Sequence, residues 1–171
     1  MSTVGPMEAE EPGLVVSSSM KFPVKRQTKK KSSEEYQTHG YEVDLVGANS
    51  ERLVLATVKS FFGSQGVLAR DVCGEGRGAG LYRLLNDPVI RDDVIAVACD
   101  RFGYRPEQVF LRFYVGRFSG KSEAAVRSAY SGVSVHSVRS FRTRLGGTEG
   151  RVAADAVVRS GPLSSPPSRS S

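Results

Sequence analysis

Tyr41-Glu42-Val43-Asp44-Leu45-Val46, followed after Gly47-Ala48-Asn49-Ser50 by Arg52-Leu53-Val54-Leu55-Ala56-Thr57-Val58-Lys59-Ser60, is the stretch that decides the fold. The first segment alternates, with Tyr41, Val43 and Leu45 on one predicted face and Glu42 and Asp44 on the other, which is strand periodicity. The second is a run of aliphatic and β-branched residues, the composition of a strand. The four residues between the segments are turn formers. Together they predict an antiparallel hairpin. Thr57 and Lys59 stand two apart and therefore share a face of their strand.

Working outward, residues 63–80 hold six glycines and read as a flexible surface loop. Asp87-Pro88 starts a helix, with Asp87 as cap and Pro88 at the first position, where a missing N–H costs nothing. Ile90, Val94, Val97, Ala98 and Phe102 keep helical spacing until Gly103 stops it. Gln108 to Val115 is apolar on both faces and predicts a central strand, and Glu123 to Tyr130 a short helix. Upstream, Ser32-Ser33-Glu34-Glu35-Tyr36 opens a short helix that Gly40 ends. The resulting class is α/β, a small mixed sheet with a crossover helix over Pro88–Phe102. Residues 33–130 form that core, between a disordered basic arm at 1–32 and a tail at 131–171. The tail has ten serines and three prolines, and is either disordered or the non-native product of a shifted reading frame.

The chain has 171 residues and a formal charge of +6, but the charge is unevenly placed. Residues 41–120 hold 10 Lys and Arg against 10 acidic residues, while residues 121–171 hold 8 against 3. A uniformly basic binding domain is therefore excluded, and a local patch on a neutral core is not. The basic stretch Lys21, Lys25, Arg26, Lys29, Lys30, Lys31 reads as a solvated linker or as a phosphate contact that gains affinity by counterion release. Cys73 and Cys99, with only His39 and His136 to join them, are too few and wrongly spaced for structural zinc. No export signal or membrane-spanning run is present in the sequence, so a cytoplasmic protein without membrane contact is expected.

The hairpin carries the chemistry. An aspartate, a second oxygen and a lysine at one end of a twisted hairpin can hold a divalent cation while the ammonium stabilises charge on an attacked phosphate. The strings Gly40-Tyr41-Glu42-Val43-Asp44-Leu45-Val46 and Leu53-Val54-Leu55-Ala56-Thr57-Val58-Lys59-Ser60 resemble the core of the PD-(D/E)XK nuclease superfamily, which includes restriction-endonuclease-like and Mrr-like proteins. The resemblance spans residues 33–118 and implies a helix, a hairpin, a third strand, a crossover helix and a further strand. It implies a Mg²⁺-dependent DNA endonuclease with Asp44, Thr57 and Lys59 as catalytic positions. Asp44 and the Val58 carbonyl would be metal contacts, and Glu34 or Glu35 would match the acid some members carry on the preceding helix. Thr57 stands where the family has an acidic residue, and a neutral hydroxyl holds Mg²⁺ less well than a carboxylate. A carboxylate such as Glu42 or Glu51 compensates, or the site binds nucleic acid or a protein without cutting, or Asp44 and Lys59 are a surface charge pair.

Other candidates surround the hairpin. Lys59, Ser60, Arg70, Arg77 and Arg83 are the expected nucleic-acid contacts. Phe61-Phe62 either stacks on bases or packs under the loop. Gly116-Arg117-Phe118-Ser119-Gly120-Lys121-Ser122 has three residues between its glycines where a phosphate-binding P-loop has four, and reads as a strand-to-helix turn. A small-molecule ligand is not expected.

Overall fold

The structure, a computed structural model, describes residues 13–27, 36–60 and 65–137. Five strands form one mixed sheet in the order β1-β2-β3-β4-β5. β1 (Val15–Gln27), β2 (Tyr36–Ala48) and β3 (Leu53–Lys59) make an antiparallel meander. β4 (Val109–Val115) and β5 (Val133–Ser137) continue the sheet in parallel to β3. Each parallel step needs a crossover. From β3 to β4 it comprises α1 (Ala69–Val72), a 3-10 turn (Ala79–Tyr82), α2 (Arg83–Asn86) and the long α3 (Pro88–Phe102). From β4 to β5 it is α4 (Ser122–Ala129). The expected α/β class, with its small mixed sheet and crossover helix, is the one observed.

The decisive antiparallel hairpin forms, with Leu45 opposite Ala56 and Ala48 opposite Leu53. β3 and β4 are central and parallel, so their apolar residues meet core on both sides of the sheet. Leu53 and Leu55 pack with Ile90, Val94 and Ala98 of α3. Phe113 and Val115 pack with Val72 and with Val126 of α4. On the opposite face Val54, Ala56, Leu45 and Tyr114 gather with Leu14. The α3 helix begins and ends as the sequence implies. The Asp87 carboxylate accepts the Ile90 N–H at 3.3 Å, and Gly103 takes the left-handed conformation (φ 75°) that a side chain resists.

Four expectations are corrected. Residues 15–27, placed in a disordered arm, form a thirteen-residue strand on the edge of the sheet. There Met20, Phe22 and Val24 face α3 while Lys21, Pro23 and Lys25 face out, and Pro23 is tolerated because an edge strand needs no second ladder. Tyr36 to Gly40 is strand β2 rather than the end of a short helix, since it pairs with Pro23 to Gln27; Glu34 and Glu35 lie outside the described residues. The glycine-rich segment from 65 onward is not a free loop. Val67 and Val72 are fully buried, and Asp71 accepts the Gly78 N–H at 3.3 Å. Finally, Val133 to Ser137 belongs to the sheet rather than to a tail, with Val135 opposite Phe113; residues 138–171 lie outside the described residues.

Candidate functional site

The site lies where β2 divides. Its second half, Leu45 to Ala48, is paired on both sides, to β1 and to β3. Its first half, Tyr36 to Val43, is paired to β1 alone, so β1 and β2 leave the sheet together as a two-stranded arm. Asp44 is the residue at the fork. Side-chain alternation breaks there: Val43 and Val46 join the core under α3, while Leu45 joins the cluster on the other face. Leu45 therefore does not share a face with Tyr41 and Val43 as the alternation predicted. Opposite the break in β1, Ser19 adopts a left-handed backbone (φ 55°), and neither Ser19 nor Asp44 enters the ladder.

The Asp44 carboxylate takes the place of the backbone partner that β3 loses. Its Oδ2 accepts the Val58 N–H at 2.7 Å and the Thr57 hydroxyl at 2.9 Å. The Lys59 ammonium stands 3.8 Å from the same oxygen. Hydrogen bonds to an ionised acceptor are the stronger kind, and here two of them close the end of a ladder that would otherwise expose an N–H. Thr57 is buried (5% exposed), whereas the side chains of Asp44 and Lys59 keep 36% and 20% of their surface. A solvent-facing ion pair thus sits on a buried hydrogen-bonded base.

Asp44, Thr57 and Lys59 are brought together as the sequence reading required, but Val58 meets Asp44 through its N–H, not through the carbonyl proposed as a metal contact. Glu42 is exposed, across the ladder from Lys21. Glu51 lies in the turn at the opposite end of β3, 3.9 Å from Arg52. Among the described residues no three His, Cys, Asp or Glu side chains gather closely enough to hold a metal ion. The groups around Asp44 are a hydroxyl proton, an amide proton and an ammonium, all of which compete with a cation for the carboxylate. This donor set does not fit Mg²⁺, which needs a near-octahedral shell of oxygen ligands.

The expected nucleic-acid residues lie on different elements. Ser60 is exposed at the end of β3, and its carbonyl presses on Gly116, where a Cβ would collide with it. Arg70 is exposed on α1, Arg77 is exposed in the following loop, and Arg83 is half-buried at the start of α2. Phe61 and Phe62 lie outside the described residues. The Gly116 to Ser122 stretch is a strand-to-helix connection whose backbone pairs with Val67, through Val67 N–H to Arg117 O and Ser119 N–H to Val67 O, both at 2.9 Å.

The sequence reading missed two features. Tyr82 is buried beside Phe113 with ring centroids 5.9 Å apart, and burial first, then the Asp71 charge, pushes its phenol up to about 12. On the other sheet face Arg112 is buried, donating to the Tyr114 hydroxyl at 3.3 Å, and Tyr114 stacks on His136. The alternation Phe110, Arg112, Tyr114 was the available signal for that row. No protein-family model, curated protein or solved structure matches this chain. No helix among the described residues is long and apolar enough to cross a membrane.

Proposed function

We propose that this chain is a nucleic-acid-binding module on a nuclease-like scaffold, holding a phosphate backbone at the fork with Lys59 and not hydrolysing it. The observation that carries the reading is the convergence of Thr57 Oγ1, Val58 N–H and Lys59 Nζ on one oxygen of Asp44. Asp44 fixes the lysine at the rim of the fork, and an ammonium has three donors, so phosphate oxygens can share it. Thr57 is neutral and donates its proton to Asp44, so the side chain at that position is not a base that could take a proton from water.

A second reading, metal-dependent hydrolysis of DNA, is favoured by a different observation. Asp44 and Lys59 meet at the end of the hairpin, and a crossover helix leads from β3 to the parallel strand β4. A supercoiled-plasmid assay with Mg²⁺ or Mn²⁺, run beside DNA-binding titrations over a range of salt, separates the two. The expected result is salt-dependent binding, weakened in Lys59→Gln, with no metal-dependent nicking. Nicking by the parent that is lost in a folded Asp44→Asn variant overturns the binding-only reading, and absence of any binding at low salt overturns both.

A further inference from the structure

The basic stretch from Lys21 has no part in the fork, yet the structure gives it a definite place. β1 and β2 stay paired from Met20↔Val43 to Gln27↔Tyr36, beyond the last β2–β3 pair, so the stretch begins on a two-stranded arm about 26 Å long. One face of this arm is anchored to α3. Phe22 is fully buried, edge-on to Phe102 and under the Arg101 guanidinium at 5.0 Å. Arg101 also donates to the Lys21 carbonyl at 3.0 Å, and the Lys25 N–H donates to Asp93 at 3.3 Å. The other face carries the cross-strand pairs Lys21↔Glu42, Pro23↔Gly40 and Lys25↔Thr38, all exposed apart from their ladder contacts. Six cations and no acid occur between residues 21 and 31.

We propose that this outer face of the arm, centred on Lys21 and Lys25, is a second contact for the phosphate backbone of duplex DNA, separate from the fork. The proposal rests on the nucleic-acid reading given above. The two ammonium groups lie four residues apart on one face, ~13 Å along the strand, a span that covers several phosphates of one DNA strand. Besides Glu42 the rest of the face is Pro23, Gly40 and Thr38, shallow enough for close approach and with little to read base edges, so the contact is independent of sequence. Anchoring by α3 means the lysines are presented by an ordered element, which lowers the entropy lost on binding. Glu42 is the one acid in these three pairs and opposes the contact.

The test is fluorescence anisotropy of the full chain on a random-sequence duplex from low to moderate salt, for the parent, Lys21→Gln/Lys25→Gln, Lys59→Gln and Glu42→Gln, with circular dichroism melts to confirm folding. The double variant is expected to flatten the slope of log K against log salt by roughly 2 and to weaken binding on the order of 50-fold near 0.1 M salt; Lys59→Gln changes the slope by roughly 1. Glu42→Gln is expected to tighten binding several-fold, the reverse of what loss of a metal ligand would do. An unchanged slope in the folded double variant, while the parent binds, overturns the arm contact alone. The same holds if that variant keeps its affinity but self-associates in sedimentation, for the lysines then serve to block edge-to-edge strand pairing. A parent that does not bind overturns the nucleic-acid reading itself.

Discussion

β3 and β1 lie two strands apart in one sheet and are held in place by different means. β3 has seven residues, two ladders and core on both faces, with Leu53 to Ala56 entirely buried. β1 has thirteen residues and one ladder, and packs through Met20, Phe22 and Val24 under α3 and through Val16 on the other face. Length is therefore a poor guide to how firmly a strand is fixed. A one-residue slip in β3 would turn leucines and valines out of two packed layers, whereas β1 depends on fewer side chains and a few contacts with Arg101 and Asp93. The arm is expected to open at lower free energy than the centre.

The sharpest way to break this comparison is to cut one phenylalanine from each region. Phe113→Ala, at the centre, is expected to cost about 3–5 kcal/mol in urea unfolding and to destabilise the whole domain. Phe22→Ala is expected to raise hydrogen exchange in β1 and in the outer half of β2 first, leaving β3 and β4 amides protected. Equal loss of protection everywhere would show the arm and centre to be one cooperative unit.

The next effect concerns Tyr82, packed on Phe113. Its phenol is raised from 10.0 to about 12, so the folded protein holds its proton where the unfolded chain has lost it. The contribution is fully present below about pH 10 and is lost as pH rises through about 12, on the order of 3 kcal/mol in all. Stability measured against pH above 9 checks this, with Tyr82→Phe removing that part of the alkaline loss.

At the junction, Asp44→Ala leaves the Val58 N–H and the Thr57 hydroxyl without their acceptor and is expected to cost about 1–3 kcal/mol. Asp44→Asn, which keeps an acceptor oxygen, is expected to cost less; equal costs would mean that charge rather than ladder repair is what Asp44 supplies. The smallest effect is at the break in β1. Ser19→Val puts a β-branched residue at φ 55° and is expected to destabilise by about 1–2 kcal/mol, with Ser19→Gly neutral or stabilising.

The same contrast explains what could be read before the structure. The β2–β3 hairpin, the Asp87-capped helix and the β4 strand each carry a local pattern strong enough to place the element, although the alternation in β2 does not hold through Asp44. β1 also carried a legible signal in Met20-Lys21-Phe22-Pro23-Val24-Lys25, but Pro23 and the neighbouring serine and lysine runs outweighed it in a reading by composition. Val133-Ser134-Val135 was obscured in the same way by the serine-rich residues after it. The glycines after residue 65 suggested mobility because the burial of Val67 and Val72 depends on partners far along the chain.

Local periodicity and capping determined the α/β class, the central hairpin, the long crossover helix, and the pairing of Asp44, Thr57 and Lys59 at one hairpin end. Only the tertiary structure decided that β2 forks at Asp44, that Leu45 crosses to the other face, and that Val58 contributes its N–H. It also decided that the basic stretch begins on an anchored arm. These depend on where β3 stops pairing with β2 while β1 continues beside it. A backbone N–H left without a partner recruits whichever acceptor the fold brings near, and that proximity is set between distant segments, outside the reach of any local pattern.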